Sequence, residues 1–385
     1  MKLNMKLNMK LNARIMQPIV GLGILSVLAS SAPLCKASSA KAIGQQFKPS
    51  KTVGISSVFP RGWYITGVRQ DTGTDVLITG GQGTDLTSGA QALIYHGPLD
   101  QIPANSNSPS FYLFTPSFPD EFVTGALFYG PNSPLYNPSL GAGNITAVGA
   151  YSYIDTNLVQ YPYQLGMMYE GPLDPSKGPG TWTKLVVPDD GTNIVAYTIA
   201  HSTMGDLVVG NFDYVGQEDS GTAFIYDKKA KTYHAFKLGL FSTTAYGIWQ
   251  NNGPDSIEYT IVGGYSDLVN GGNGYIIDYD ARRSRFSHFT RLRVNNVPKL
   301  ISHIEGISGV SGGYSLAADT AVGAYYAFVP RKNNGDFGHA KWTTIRNDLV
   351  DVAFTSANTV IDQSVLGVYI TPEYTQGYIA TVPAK

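Results

Sequence analysis

Beyond residue 42 the chain is a succession of short apolar and aromatic runs separated by clusters of Gly, Pro, Asn and Asp. β-Branched and aromatic runs bounded by turn formers predict strands, and no stretch shows the 3.6-residue period of a helix. One phrase recurs: an apolar stretch, a Gly, any residue, then an aromatic. It reads Val148-Gly149-Ala150-Tyr151, Val209-Gly210-Asn211-Phe212, Val262-Gly263-Gly264-Tyr265, Gly312-Gly313-Tyr314 and Leu366-Gly367-Val368-Tyr369, with a degenerate first copy in Ile78-Thr79-Gly80-Gly81. The copies lie roughly 50–70 residues apart, the period of propeller blades with variable loops.

Each phrase marks the second strand of a four-strand unit. A run precedes it at 63–68, 122–128, 194–200, 244–249, 300–307 and 350–355. A third run follows at 92–95, 165–169, 222–226, 275–279, 325–329 and 378–382. Only five fourth runs exist, each led by an aromatic, at 111–114, 182–187, 233–238, 286–292 and 342–345. The missing sixth has a candidate at the other end of the chain, in Gln46-Phe47-Lys48-Pro49. The pattern predicts an all-β, six-bladed β-propeller, closed by pairing of N-terminal and C-terminal strands, which leaves no open sheet end. An outer-membrane β-barrel is the competing architecture. Against it stand the short runs, several of them apolar on both faces, and an Ala384-Lys385 terminus where barrels commonly end on an aromatic.

Trp182-Thr183-Lys184-Leu185-Val186-Val187-Pro188, followed by Val209–Asp213 and 221–227, resembles the degenerate repeats of secreted bacterial β-propeller proteins. Their pattern runs Trp-x-x-Leu-x-x-Pro, Gly-Ile, Ile-Val-Gly-x-Tyr-x-Asp and Gly-Phe-x-Tyr; Tyr246-Gly247-Ile248 with 261–267 and 274–278 is the next best copy. The resemblance implies a fold and an exported setting, and it brings no catalytic residues.

The first 42 residues read as a signal peptide, with a single propeller domain at 43–385. They contain no acid, open with Lys2, Lys6, Lys10 and Arg14, continue through an apolar run, and reach Ala40-Lys41-Ala42, an A-x-A cleavage pattern. The expected setting is secreted or periplasmic, with no membrane span in the mature chain. Cys35, the only cysteine, lies inside this segment behind Leu34, which is not the small residue of a lipoprotein site. The full chain balances 27 Lys+Arg against 28 Asp+Glu. Removing residues 1–42 takes six of those cations and leaves a net charge of −7, so the near-neutrality belongs to the export signal. That balance argues against nucleic acid as a partner. At 14% charged and 43% hydrophobic residues, the chain is not intrinsically disordered.

Assembled catalytic motifs are scarce. Gly309-Val310-Ser311-Gly312-Gly313 has the G-x-S-x-G spelling, but it lies between strands and overlaps the glycine phrase, so it reads as a turn. Asn334-Gly335-Asp336-Phe337-Gly338 resembles the Asp-box turn of sialidase-like propellers, with Trp342 one position late; Ser176–Trp182 is a poorer copy. Both read as polar turns. No cofactor is expected. Calcium is the one metal the acidic loop residues suggest (Asp189, Asp190, Asp213, Glu218, Asp219, Asp267), with no D-x-D-x-D-G loop to hold it. Arg282, Arg283 and Arg285 form a short basic run that reads as a solvated turn.

Five residues fall on or near the innermost strands by repeat alignment: Arg69, His201, Trp249, His303 and Glu305. Converging on a central channel, they would bind an anionic or sugar-like ligand, with Arg as a forked donor and Trp as a stacking face. His and Glu together also make an acid–base pair. Two functions follow. The first is an exported non-enzymatic module binding an unidentified protein or glycan ligand through one propeller face. The second is a hydrolase or lyase acting on a carbohydrate or lactone at the channel mouth. Fold alone does not choose between them; convergence of His201, His303 and Glu305 does.

Overall fold

A computed structural model describes residues 52–83, 90–119, 121–154, 164–216, 221–267, 271–294, 301–320, 323–348 and 351–383. The first 42 residues, read above as a signal peptide, and Gln46–Pro49 lie outside them. The strands form six separate sheets. Blade 1 comprises β3 (Trp63–Gln70), β4 (Asp75–Gln82), β5 (Gln91–Pro98) and β6 (Phe111–Phe114). Blade 2 is β7 (Phe122–Asn132), β8 (Asn144–Ile154), β9 (Gln164–Pro172) and β10 (Thr181–Leu185). Blade 3 is β11 (Val195–Met204), β12 (Leu207–Tyr214), β13 (Thr222–Asp227) and β14 (Thr232–Phe236). Blade 4 is β15 (Ser242–Gln250), β16 (Glu258–Asp267), β17 (Gly271–Asp280) and β18 (Arg285–Leu292). Blade 5 is β19 (Ile301–Val310), β20 (Gly313–Thr320), β21 (Gly323–Pro330) and β22 (Lys341–Arg346). These are antiparallel meanders, and the first strands of consecutive blades touch one another around the centre.

Blade 6 completes the ring from both ends of the chain. Its inner strand is split into β23 (Phe354–Thr355) and β24 (Thr359–Ile361), followed by β25 (Ser364–Ile370) and β26 (Thr375–Thr381). The outer strand is β2 (Ser56–Arg61), antiparallel to β26 with Ser56 opposite Ile379 and Arg61 opposite Gln376. Closure is therefore as expected, but the closing strand is Ser56–Arg61, ten residues after the segment proposed from sequence. Pro60 disguises it: a proline is tolerated here only because the strand is an edge. Just before it, β1 (Thr52–Gly54) pairs in parallel with β22. The N-terminal chain thus touches blade 5, then blade 6, then enters blade 1.

The core is a ring as well. Among the described residues seven buried apolar clusters line the blade interfaces, one at each, with a second small one (Leu127, Tyr129, Ala150, Ile199) between blades 2 and 3. Phe128, Tyr151 and Tyr169 of blade 2 pack on Leu77, Ile94 and Phe114 of blade 1, and Phe59 of β2 joins Ile65, Val68, Leu366 and Val368 where blade 6 meets blade 1. This explains why the runs read as apolar on both faces: each blade is covered on two sides. Six separate four- and five-stranded sheets exclude the barrel alternative. Among the described residues no helix is long and apolar enough to cross a membrane.

Candidate functional site

The site grows from one backbone irregularity repeated around the ring. In β3, β7, β11, β15 and β19 the register against the second strand slips by one residue after Ile65, Phe128, Ala200, Ala245 and Ile304. In blade 6 the break between β23 and β24 falls at the same place, where the Asn358 amide bonds Leu366 O. A bulge leaves one residue unpaired and re-aims its side chain. The residues so placed are Thr66, Tyr129, His201, Tyr246, Glu305 and Asn358.

The recurring glycine phrase is the other half of this bulge. A Cβ on Gly80, Gly149, Gly210, Gly263 or Gly367 would collide with the carbonyl oxygen of Tyr64, Leu127, Ile199, Thr244 or Ser356, just ahead of each bulge. In blade 5 the register position opposite Ile304 is held by Ala318. Gly312-Gly313, aligned from sequence as the fifth copy, instead closes the β19–β20 hairpin, with Gly312 at φ 77°. The G-x-S-x-G spelling is therefore a hairpin turn, as expected, with no helix after it.

Five of the re-aimed side chains reach the inner strand of the following blade, whereas Glu305 turns back to His303 of its own strand. Thr66 Oγ1 donates to Phe128 O at 2.5 Å. Ring centroids then follow at 5.1 Å from Tyr129 to His201, 4.3 Å from His201 to Tyr246 and 4.8 Å from Tyr246 to His303. His303 Nε2 lies 2.5 Å from Glu305 Oε1 and 4.0 Å from Asp319 Oδ2. The Ala357 amide of blade 6 donates to Asp319 Oδ1 at 2.6 Å, and Asn358 Nδ2 donates to Ile65 O of blade 1, completing the circle.

Burial divides the protonation states in this ring. His201 titrates near 4 because burial penalises its cation, so it is neutral at pH 7. Its Nε2 is 2.7 Å from Asn211 Oδ1, which as an acceptor assigns the proton to Nε2 and leaves Nδ1 with a lone pair. His303 is equally buried, and burial alone would lower it; the charge and hydrogen bond of Glu305, with Asp319 behind, raise it above the ordinary imidazole value. Burial, then the Glu305 charge, pushes Asp319 up to about 7. Burial and Glu305 also raise the Tyr129 and Tyr246 phenols, which stay protonated. Both hydroxyls are buried without a well-formed hydrogen bond. Gln164 beside Tyr129 and Thr244 beside Tyr246 partly offset the rise.

Of the five residues singled out from sequence, His201, His303 and Glu305 come together here. Arg69 and Trp249 do not join them; they meet each other one layer along the axis, three residues past their bulges, with the guanidinium 5.9 Å from the indole. Arg69 crosses the channel, donating to Ser202 Oγ at 3.1 Å and to Ile248 O of blade 4 at 2.8 Å. Desolvation lowers it to about 10, and it remains a cation. It closes the channel at that level. The sequence reading missed Tyr129, Tyr246 and Asp319; for the two tyrosines the residue one past the position facing each glycine phrase was the available signal, and Asp319 faces His303 from the second strand.

His303, Glu305 and Asp319 each offer a ligand atom within 4.8 Å of the others, a set of one nitrogen and two carboxylate oxygens that suits a divalent cation. Three of the loop carboxylates considered for calcium have other work: Asp190 accepts from the Thr192 and Asn193 amides, Asp189 from Val195, and Asp267 pairs with Arg291; Asp213 is buried within β12. Glu218 and Asp219 lie outside the described residues.

No protein-family profile matches the chain, and no curated protein sequence matches it. Solved structures with a similar course include a Trypanosoma rangeli sialidase in complex with sialic acid (8% identity, TM-score 0.45, 87% of this chain and 57% of that one). A Penicillium chrysogenum α-L-arabinanase complexed with arabinobiose shares 11% identity over 87% of this chain and 98% of that one, at a TM-score of 0.47. A Phanerochaete chrysosporium exo-β-1,3-galactanase with β-1,3-galactotriose shares 10% over 72% and 63%, at 0.39. This chain thus spans little more than half the length of the sialidase. Likenesses this distant attach no activity to it.

Proposed function

We propose that the axial ring is an active site and that the protein is a hydrolase or lyase acting on a carbohydrate or lactone, in preference to a non-enzymatic binding module. One observation carries this reading: the Tyr129–His201–Tyr246–His303–Glu305 relay, in which titratable side chains of four blades meet at the axis with protonation states pushed apart. Paired groups of that kind are how a site runs acid and base chemistry at one pH. Glu305 is the reachable member, with a half-buried side chain, whereas His303 and His201 are buried.

In this reading Glu305, held by its hydrogen bond to His303, takes a proton from an attacking water and delivers it to the departing oxygen. That is the hydrolase course, in which water adds across the scissile bond; in the lyase course Glu305 would take its proton from substrate carbon and pass it to the departing oxygen. The Tyr129 and Tyr246 hydroxyls supply donors for the developing negative charge. Arg69 closes one end, so substrate enters from the side on which the inner strands begin. The exported setting rests on the signal-like first 42 residues and on the resemblance to secreted bacterial propeller repeats.

The test is a panel of chromogenic glycosides and small lactones assayed with the whole chain, its Glu305→Gln variant and its His303→Gln variant. Turnover that falls about 100-fold or more in Glu305→Gln, with an unchanged melting temperature, supports the proposal. Binding of panel members without turnover overturns it in favour of the binding module.

A further inference from the structure

Half of the chain's arginines lie within twelve residues. Of ten, five are Arg282, Arg283, Arg285, Arg291 and Arg293, on β18 and its flanking turns at the outer edge of blade 4. No acid falls among residues 282–293. Without these five, 22 cationic side chains face 28 acidic ones over the rest of the molecule. Charged residues do protect exposed sheet edges from unwanted pairing. That need is met elsewhere with far less: β6 has no charged side chain, β14 no Lys or Arg, and β10 has one lysine. Edge protection does not account for the concentration on β18.

The stripe leads into a cleft. Thr290–Arg293 form one wall, and the turn between β21 and β22 forms the other through Lys332, Phe337 and His339. Its volume is about 680 Å³, within the range of about 300–1,000 Å³ typical of ligand clefts. Its lining contains no carboxylate. The neighbouring acids are already engaged: Asp278 holds Arg331 and His288, Asp267 holds Arg291 at 3.5 Å, and Asp280 holds Arg283 at 3.4 Å. Among the described residues Arg282, Arg285, Arg293 and Lys332 have no acidic partner, and all four are exposed.

We propose that this stripe and cleft bind an acidic polysaccharide, with carboxylate- or sulfate-bearing sugars held by Arg282, Arg285, Arg293 and Lys332. Arg285 and Arg293 are eight residues apart with a one-residue bulge at His288–Phe289 between them, about 23 Å along the strand at about 3.3 Å per residue, a span that fits a polymer and not a free anion. Exposed Phe289 between them offers a sugar-stacking face. The acidic remainder of the molecule opposes densely charged polyphosphates at long range while leaving a local cationic row for a polyanion of lower charge density. This inference extends the carbohydrate reading, on residues separate from the axial ring. It would hold the polymer on the outer wall whether or not the ring cleaves it.

The experiment is affinity electrophoresis and binding titration of the whole chain against polygalacturonate, dextran, duplex DNA and anionic phospholipid vesicles over a salt series. The expected result is retardation by polygalacturonate alone, weakening with salt. It should fall at least tenfold in an Arg285→Gln/Arg293→Gln/Lys332→Gln variant whose melting temperature is unchanged. Equal binding by that variant overturns the proposal, as does binding to DNA or vesicles that matches polygalacturonate. Glu305→Gln should bind polygalacturonate like the wild type, so loss of axial turnover and loss of this site are read separately.

Discussion

Tyr246 lies between two imidazoles, its ring 4.3 Å from that of His201 and 4.8 Å from that of His303. The two histidines occupy similarly buried positions yet are shifted in opposite directions, His201 down and His303 up. The difference is local: His201 faces a neutral amide, whereas His303 faces two carboxylates. A carboxylate within about 4 Å offsets a burial penalty that otherwise neutralises an imidazole.

His201 makes stability depend on pH. Its folded value, about 4, lies below the ordinary 6.5, so the unfolded chain binds more protons between these values. Its contribution is complete above about pH 6.5 and is lost as pH falls to about 4, amounting to about 3 kcal/mol. Urea unfolding from pH 7 to pH 4 should show a smaller acid loss in His201→Gln than in the wild type. Parallel curves would show that His201 is not the group responsible.

Asp319 acts with the opposite sign. Its folded value is raised from the ordinary 3.8 to about 7, so the folded chain binds the extra proton and this residue's contribution falls as pH rises between them. Asp319→Asn should therefore compare better with the wild type at pH 8 than at pH 5. The Ala357 amide retains an acceptor in the variant. A penalty independent of pH would contradict the proposed protonation.

Gly149 faces the bulge of blade 2, where any Cβ meets the Leu127 carbonyl. Gly149→Ala should cost roughly 1–3 kcal/mol through overpacking. Gly54 on β1 is the control, because a methyl group there would have no neighbouring atom within 4 Å. Gly54→Ala should stay within about 0.5 kcal/mol. Similar midpoints for both variants in denaturant unfolding would remove the steric account of the glycine phrase.

Phe59 tests the closure. It is 2% exposed at the interface of blades 6 and 1. Phe59→Ala should cost roughly 3–5 kcal/mol. Hydrogen exchange should speed up first in β26, Thr375–Thr381, which β2 covers. Uniform loss of protection through all blades would mean that the ring opens as one unit and not at this seam.

Blade number and strand order were legible because they depend on local patterning and turn residues, which repeat. The relay was legible in part. His201, His303 and Glu305 stand out as titratable residues on apolar strands, whereas Tyr129 and Tyr246 pass for ordinary core aromatics among 25 tyrosines. What distinguishes them is a one-residue slip, and a slip changes which way a side chain points without changing composition. The same slip placed Arg69 and Trp249 in a different layer. The inner strand of blade 6, read as a run at 350–355, begins at Phe354–Thr355 and resumes at Thr359–Ile361, beyond that run, because Asn358 occupies the bulge position between the two parts.

The pairing of Ser56–Arg61 with β26 joins residues more than three hundred positions apart, as the bond from Gln376 Nε2 to Phe59 O shows. A chain emerging from its N-terminus therefore presents β2 long before its partner exists. Blades 1 to 5 are each made of neighbouring strands and can form in sequence, while blade 6 waits for the final segment. Such a late, non-local contact slows folding and prolongs exposure of an unpaired edge. The completed ring becomes a post-synthetic state, with the last strand acting as its latch.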